Sequence, residues 1–178
     1  MFDEIKAWLE GSGKPAEGGG DKNRELRLAV AALLVEAAQI DDRFSEDERK
    51  VIFRLLERHF ALGADQARAL FAAASEIAER SAQLFRFTRI INDRLPPERR
   101  VEVIEMLWEV AYADGRLDAL EDALLRRIGG LIYVPDRERG AARQRVLSRR
   151  SGTAAPTEEP SQAAGAPGPS HLPEESTR

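Results

Sequence analysis

The sequence predicts an all-α fold, and three observations carry that prediction. Between Asp21 and Leu147, apolar residues recur at three- and four-residue spacings, the period of a helix face. No stretch alternates apolar and polar residues as a half-buried strand would. Ser, Asp, Gly and Pro fall between the periodic runs, where helices start and stop. The expectation is a compact bundle of about seven helices over residues 22–147, with flexible termini. Forty-three per cent hydrophobic residues in 178 is enough for the core of one such domain.

Leu26, Val30, Leu33, Leu34 and Ala37 mark a first helix ending near Ile40. Ser45 and Glu48 form the capping-box pair that opens a second, which carries Val51, Ile52, Leu55, Leu56 and Phe60 and is expected to end at Gly63. A third runs from about Ala64 to Arg80 with Ala67, Leu70, Phe71, Ala74 and Ile77. Ser81 can cap a fourth, whose stripe reads Leu84, Phe85, Thr88, Ile91 and Leu95. Phe87 is the aromatic expected to face outward. Pro96 and Pro97 stop that helix, and Pro97 suits the first turn of a fifth with Val101, Ile104, Leu107, Trp108 and Ala111. Asp118 caps a sixth with Leu124, Leu125, Ile128 and Leu131. Pro135 separates a last, basic helix from about Asp136 to Leu147.

Both ends have a different character. Residues 1–21 combine a short amphipathic segment, with Phe2, Ile5, Trp8 and Leu9 at helical spacing, and a glycine-rich linker. That segment suits a helix docked on the core or a recruitment motif. Asp3, Glu4 and Glu10 argue against attachment to anionic lipid. Residues 148–178 hold five prolines and almost no large apolar residues, the composition of a disordered tail.

Composition excludes several chemistries. The chain has no cysteine, so disulfides, thiol catalysis and cysteine-bound metals are out. With two histidines, a histidine-rich metal site is out as well. His59, near the end of the second helix, suits that helix's C-terminal dipole when protonated. Residues 1–21 hold two basic and five acidic side chains and residues 148–178 hold three and four, which leaves 22 of each sign between them. That even balance lacks the electrostatic footprint of nucleic-acid binding. No run approaches a membrane span and no secretory signal opens the chain, so the sequence reads as soluble and cytoplasmic.

The most informative feature is a repeat at a spacing of 73 residues. VEAAQIDDRFSEDERKVIFRLL, from Val35, aligns with WEVAYADGRLDALEDALLRRIG, from Trp108. Glu36 pairs with Glu109, Asp41 with Asp114, Asp42 with Gly115, Ser45 with Asp118 and Glu48 with Glu121. Each copy reads as a helix, a tight acidic turn and a capped second helix, with Phe44 or Leu117 placed to staple the cap. Gly115 can take the left-handed conformation of a turn, and Asp42 is among the few residues tolerated there.

The second copy, with its A-x-A-D-G-x-[apolar]-x-x-x-E core, resembles the TerB family of tellurite-resistance proteins and the related N-terminal domain of the DjlA co-chaperones. The resemblance spans about Asp21 to Leu147. The first copy departs from the pattern at Asp42 and at Gln39-Ile40. The resemblance implies a helical bundle of bacterial origin, without catalytic activity, acting in tellurite resistance or stress response. It also implies metal association at the positions of Asp41, Glu48, Asp114 and Glu121. The HPD motif of a J domain is missing from the sequence, so co-chaperone activity does not carry over.

Two readings of the acidic turns compete. In the first, Asp41, Asp42 and Glu48 in one turn, and Asp114, Asp118 and Glu121 in the other, gather oxygens for a divalent ion such as calcium, magnesium, manganese or zinc. Glu36 and Glu109 are further candidates. The eight residues from Asp114 to Glu121 are too few for an EF-hand. In the second reading, the same side chains cap helices. The expected function is a non-catalytic scaffold with a protein partner. The alternatives are a small metal-dependent hydrolase and a metal-free interaction module. The basic run Arg137, Arg139, Arg143, Arg145, Arg149 and Arg150 is a solvated face or a receptor for an acidic partner.

Overall fold

The computed structural model describes residues 20–40, 44–78 and 84–153. Among them are seven helices and no strand: α1 (Gly20–Gln39), α2 (Glu46–Phe60), α3 (Ala64–Ala78), α4 (Leu84–Arg94), α5 (Pro97–Ala111), α6 (Ala119–Leu131) and α7 (Asp136–Thr153). The all-α bundle expected from the sequence is what the chain forms. Its last helix continues six residues past the expected end at Leu147. The amphipathic stretch 1–10, Asp41, Asp42, Ser81 and the tail beyond Thr153 lie outside the described residues.

α1 is the axle of the bundle. Residues 29–35 are buried without interruption, and Ala37 and Ala38 follow. A helix apolar on all sides must be surrounded, and α1 packs against α3, α4 and α5 and touches α2 and α6. The alanines leave room for those neighbours, while Leu33 and Leu34 fill the layers between them. Each fully buried leucine contributes roughly 1.5–3 kcal/mol relative to exposure.

Two expectations need correction. Gly63 does not end α2. Ala61 does, in the left-handed conformation at φ 51°, and the Leu62 amide donates back to the Glu57 carbonyl at 3.2 Å. Leu62 packs on the core, which holds this closure without a glycine. Gly63 instead opens α3. Its carbonyl accepts from the Ala67 amide, and its own amide donates to Gln66 Oε1 at 3.1 Å. On α4 the two aromatics exchange roles: Phe87 is buried and Phe85 is 70% exposed. The buried set is Leu84, Phe87, Thr88 and Ile91, and Thr88 satisfies its hydroxyl on the Leu84 carbonyl at 2.8 Å.

Arg100, in the first turn of α5, ties helix ends together. Its guanidinium donates to the carbonyls of Leu95 (2.9 Å), Asn92 (3.2 Å) and Ile132 (3.4 Å). These terminal carbonyls have no intrahelical partner, and a cation there also complements the helix dipole. Tyr133 closes α6 in the left-handed conformation at φ 57°, with the Val134 amide donating to the Gly129 carbonyl at 2.9 Å.

α7 lies along α5. Ala142 and Val146 are buried beneath it, and Arg143 spans the stacked rings of Trp108 and Tyr112 while donating to the Tyr112 hydroxyl at 2.7 Å. At its start, Arg139 crosses Gly129 of α6 so closely that a Cβ there would lie 2.9 Å from Arg139 Cδ.

Candidate functional site

Where the repeat is described, its two copies form the same capping arrangement. In the second, α5 runs into a turn in which Gly115 adopts φ 85°. Asp114 Oδ1 accepts from the Arg116 amide at 2.9 Å, which fixes the turn. Asp118 caps α6, its Oδ1 accepting from the Leu120 amide at 2.7 Å, and Glu121 Oε2 accepts from the Asp118 amide at 2.8 Å. In the first unit, Ser45 Oγ accepts from the Glu48 amide at 3.1 Å, and Glu48 Oε2 accepts from the Ser45 amide at 2.6 Å. Both are complete capping boxes. Glu48 and Glu121 are buried, an uncommon location for a glutamate, and they are matched in position across the repeat.

Of the six proposed metal ligands, Asp41 and Asp42 lie outside the described residues. The structure gives capping roles to Glu48, Asp118 and Glu121 and a turn-fixing role to Asp114. Among the described residues, no three His, Asp or Glu side chains converge in a group that could hold a metal ion. Capping does not preclude coordination, because each carboxylate oxygen has two lone pairs.

The other two repeat-matched acids have diverged. Glu36 is half-buried, and its burial raises its pKa above the usual glutamate range, partly opposed by Arg127. Glu109 is ion-paired, accepting from Arg58 and from Arg149, each at 3.1 Å. Arg149 also reaches Glu105 at 3.0 Å, and Arg145 meets the same carboxylate at 2.6 Å.

This network borders a cleft of about 520 Å³ between α2, α5 and α7, lined by Arg54, Arg58, Arg149 and Arg150 around Glu109, with Val51 and Val146 at its base. No described residue of either acidic turn lines it. The last helix's basic run contributes Arg149 and Arg150, as the sequence allowed. The contributions of Arg54 and Arg58 were not foreseen. They sit about 95 positions away in the chain, and only their spacing of four, one helical turn, hinted that they share a face. His59, next to Arg58, departs from its expected role: burial first, then the Arg58 charge, lowers its pKa and disfavours the imidazolium.

Among the described residues, no helix is long and apolar enough to cross a membrane. No curated protein and no solved structure matches the chain. The sequence model of one family, described as tellurite resistance protein TerB, matches residues 27–144, which take in both acidic turns and most of the helical bundle. The chain therefore belongs to the TerB family.

Proposed function

We propose that this TerB-family domain is a non-catalytic helical scaffold, that it docks a partner protein through its arginine cleft, and that it serves tellurite resistance or a related stress response. The carrying observation is an excess of guanidinium: among the described residues, four arginines and one carboxylate line the cleft. Glu105 and Glu109 hold Arg58, Arg145 and Arg149 in place. Arginines fixed in this way lose little freedom on meeting a second carboxylate. An acidic partner segment is the complementary chemistry, and such charge pairing steers association as well as holding it. The link to tellurite rests on the family alone.

The test is growth on graded potassium tellurite of a strain whose own copy is replaced by Arg54→Glu/Arg150→Glu. Tolerance should fall while the purified variant keeps its melting temperature. Unchanged tolerance would refute the role of the cleft.

A divalent ion at the acidic turns is the second reading, favoured by the matched burial of Glu48 and Glu121. Asp41 and Asp42 would complete one site, and Asp114 and Asp118 the other. Thermal unfolding after chelation, followed by titration with calcium, magnesium, manganese or zinc, checks it. Binding to the folded state adds roughly 2.7 kcal/mol at 100 times the dissociation constant. Asp114→Asn should diminish that gain, and no gain with any ion would dismiss the reading.

A further inference from the structure

The arginine cleft holds two kinds of cation. Arg58 on α2 and Arg149 on α7 are fixed, because Glu109 Oε1 accepts from both, each at 3.1 Å. One oxygen therefore ties the two walls together, and the two terminal nitrogens lie no further apart than twice that distance. Arg58 makes its contacts through Nη2, which leaves the hydrogens of its Nε and Nη1 to donate elsewhere. Arg54, one turn earlier on α2, and Arg150, next to Arg149 on α7, are exposed and form no ion pair with any described residue. Val51 and Val146 at the base lower the local polarity, which strengthens any charge pairing made above them.

Such a set discriminates between anions. A carboxylate brings one charge and two coplanar oxygens. Glu109 shows the limit of that group: it spans both walls and still leaves Arg54 and Arg150 without a counter-charge. A phosphoryl group brings about −1.5 to −2 charges and three strong acceptor oxygens. Those oxygens diverge, so a single group can meet guanidinium forks from both walls at once. We propose that the cleft receives a phosphorylated side chain of its protein partner, with Arg54 and Arg150 gripping the phosphoryl oxygens and Arg58 completing the set. This rests on the cleft being the docking site, as proposed above, and names the group that it selects. A nucleic-acid backbone, another source of phosphoryl oxygens, fits less well, because basic and acidic residues balance over the helical region.

Fluorescence anisotropy of labelled peptides with the full-length protein, at physiological ionic strength, tests the preference. A short Gly–Ala peptide carrying one phosphoserine should bind at least about tenfold more tightly than the same peptide with two adjacent glutamates. Arg54→Gln and Arg150→Gln alter exposed side chains and break no ion pair among the described residues, and each should remove most of that advantage. Arg137→Gln, on α7 but outside the cleft, should leave it unchanged. Equal binding of the two peptides, weakened alike by the cleft substitutions, would overturn the phosphoryl preference and keep the acidic-segment reading. Binding of neither peptide would refute both. Displacement of the phosphopeptide by an equal concentration of inorganic phosphate, or tighter capture by phosphatidic-acid vesicles or single-stranded DNA, would also overturn the proposal. The phosphoryl source would then not be a protein.

Discussion

The two copies of the helix–turn–helix unit share their caps and differ in almost everything around them. Ser45 and Asp118 are different residues that perform the same capping, and Glu48 and Glu121 close both boxes from buried positions. Beside the caps, Phe44 stacks on Phe71 under Arg49, whereas the matching Leu117 is an aliphatic side chain packed on the core. Val35 and Trp108 begin the copies with very different volumes, and Glu36 is half-buried where Glu109 is ion-paired. Local backbone chemistry has thus been kept in both halves, while each half gives different side chains to its surroundings, the first supplying Arg54 and Val51 to the arginine cleft. The second copy supplies Glu109 to the arginine cleft and Trp108 to the docking of α7.

The sharpest break in this equivalence should come at the first position. Trp108→Ala is expected to cost about 3–5 kcal/mol in chemical denaturation, because α7 loses the ring that Arg143 covers. Val35→Ala removes two carbons and should cost about 1.6 kcal/mol. Equal losses would mean that α7 does not depend on Trp108.

The caps should behave alike. Glu48→Ala and Glu121→Ala each remove a hydrogen bond to an N-cap amide and should each cost about 1–2 kcal/mol. A marked inequality would show that one buried carboxylate serves more than its cap. At the helix ends, Ala61→Gly and Tyr133→Gly relieve left-handed strain and should each stabilise by about 0.5–1 kcal/mol.

The smallest effect has opposite signs in the two copies. Glu36 is easier to protonate in the folded protein, so the unfolded chain releases that proton first as pH rises, and stability declines through that window. Glu36→Gln should therefore stabilise at pH 7, with the gain vanishing below about pH 4, where the acid is protonated in both states. Glu109→Gln loses its pairing with Arg58 and Arg149, and should destabilise by up to about 1 kcal/mol because both arginines are half-exposed. Urea melts across pH read both.

What could be read in advance divides along the same line. Ser45–Glu48 and Asp118–Glu121 were legible because a capping box lies within four residues and depends on no distant neighbour. The φ of Gly115 was legible for the same reason. The phase of α4 was not: Phe85 and Phe87 both lie beside the Thr88–Ile91 stripe, and the helices packed on α4, α1 foremost, determine which of them is covered. Ala61 hid the end of α2 because the packing of Leu62, a tertiary fact, holds it there. The arginine cleft joins helices nearly a hundred residues apart, and no local pattern announces such a meeting.

Gly129 sets how closely the last helix can approach α6. Arg139 rests on the bare backbone at that position, where a Cβ would lie 2.9 Å from its Cδ. A methyl group added there displaces the Arg139 side chain, and with it the 3.0 Å ion pair that Arg139 makes with Asp136 in the first turn of α7. The opening turn of the last helix thus depends on a side chain that its neighbour lacks.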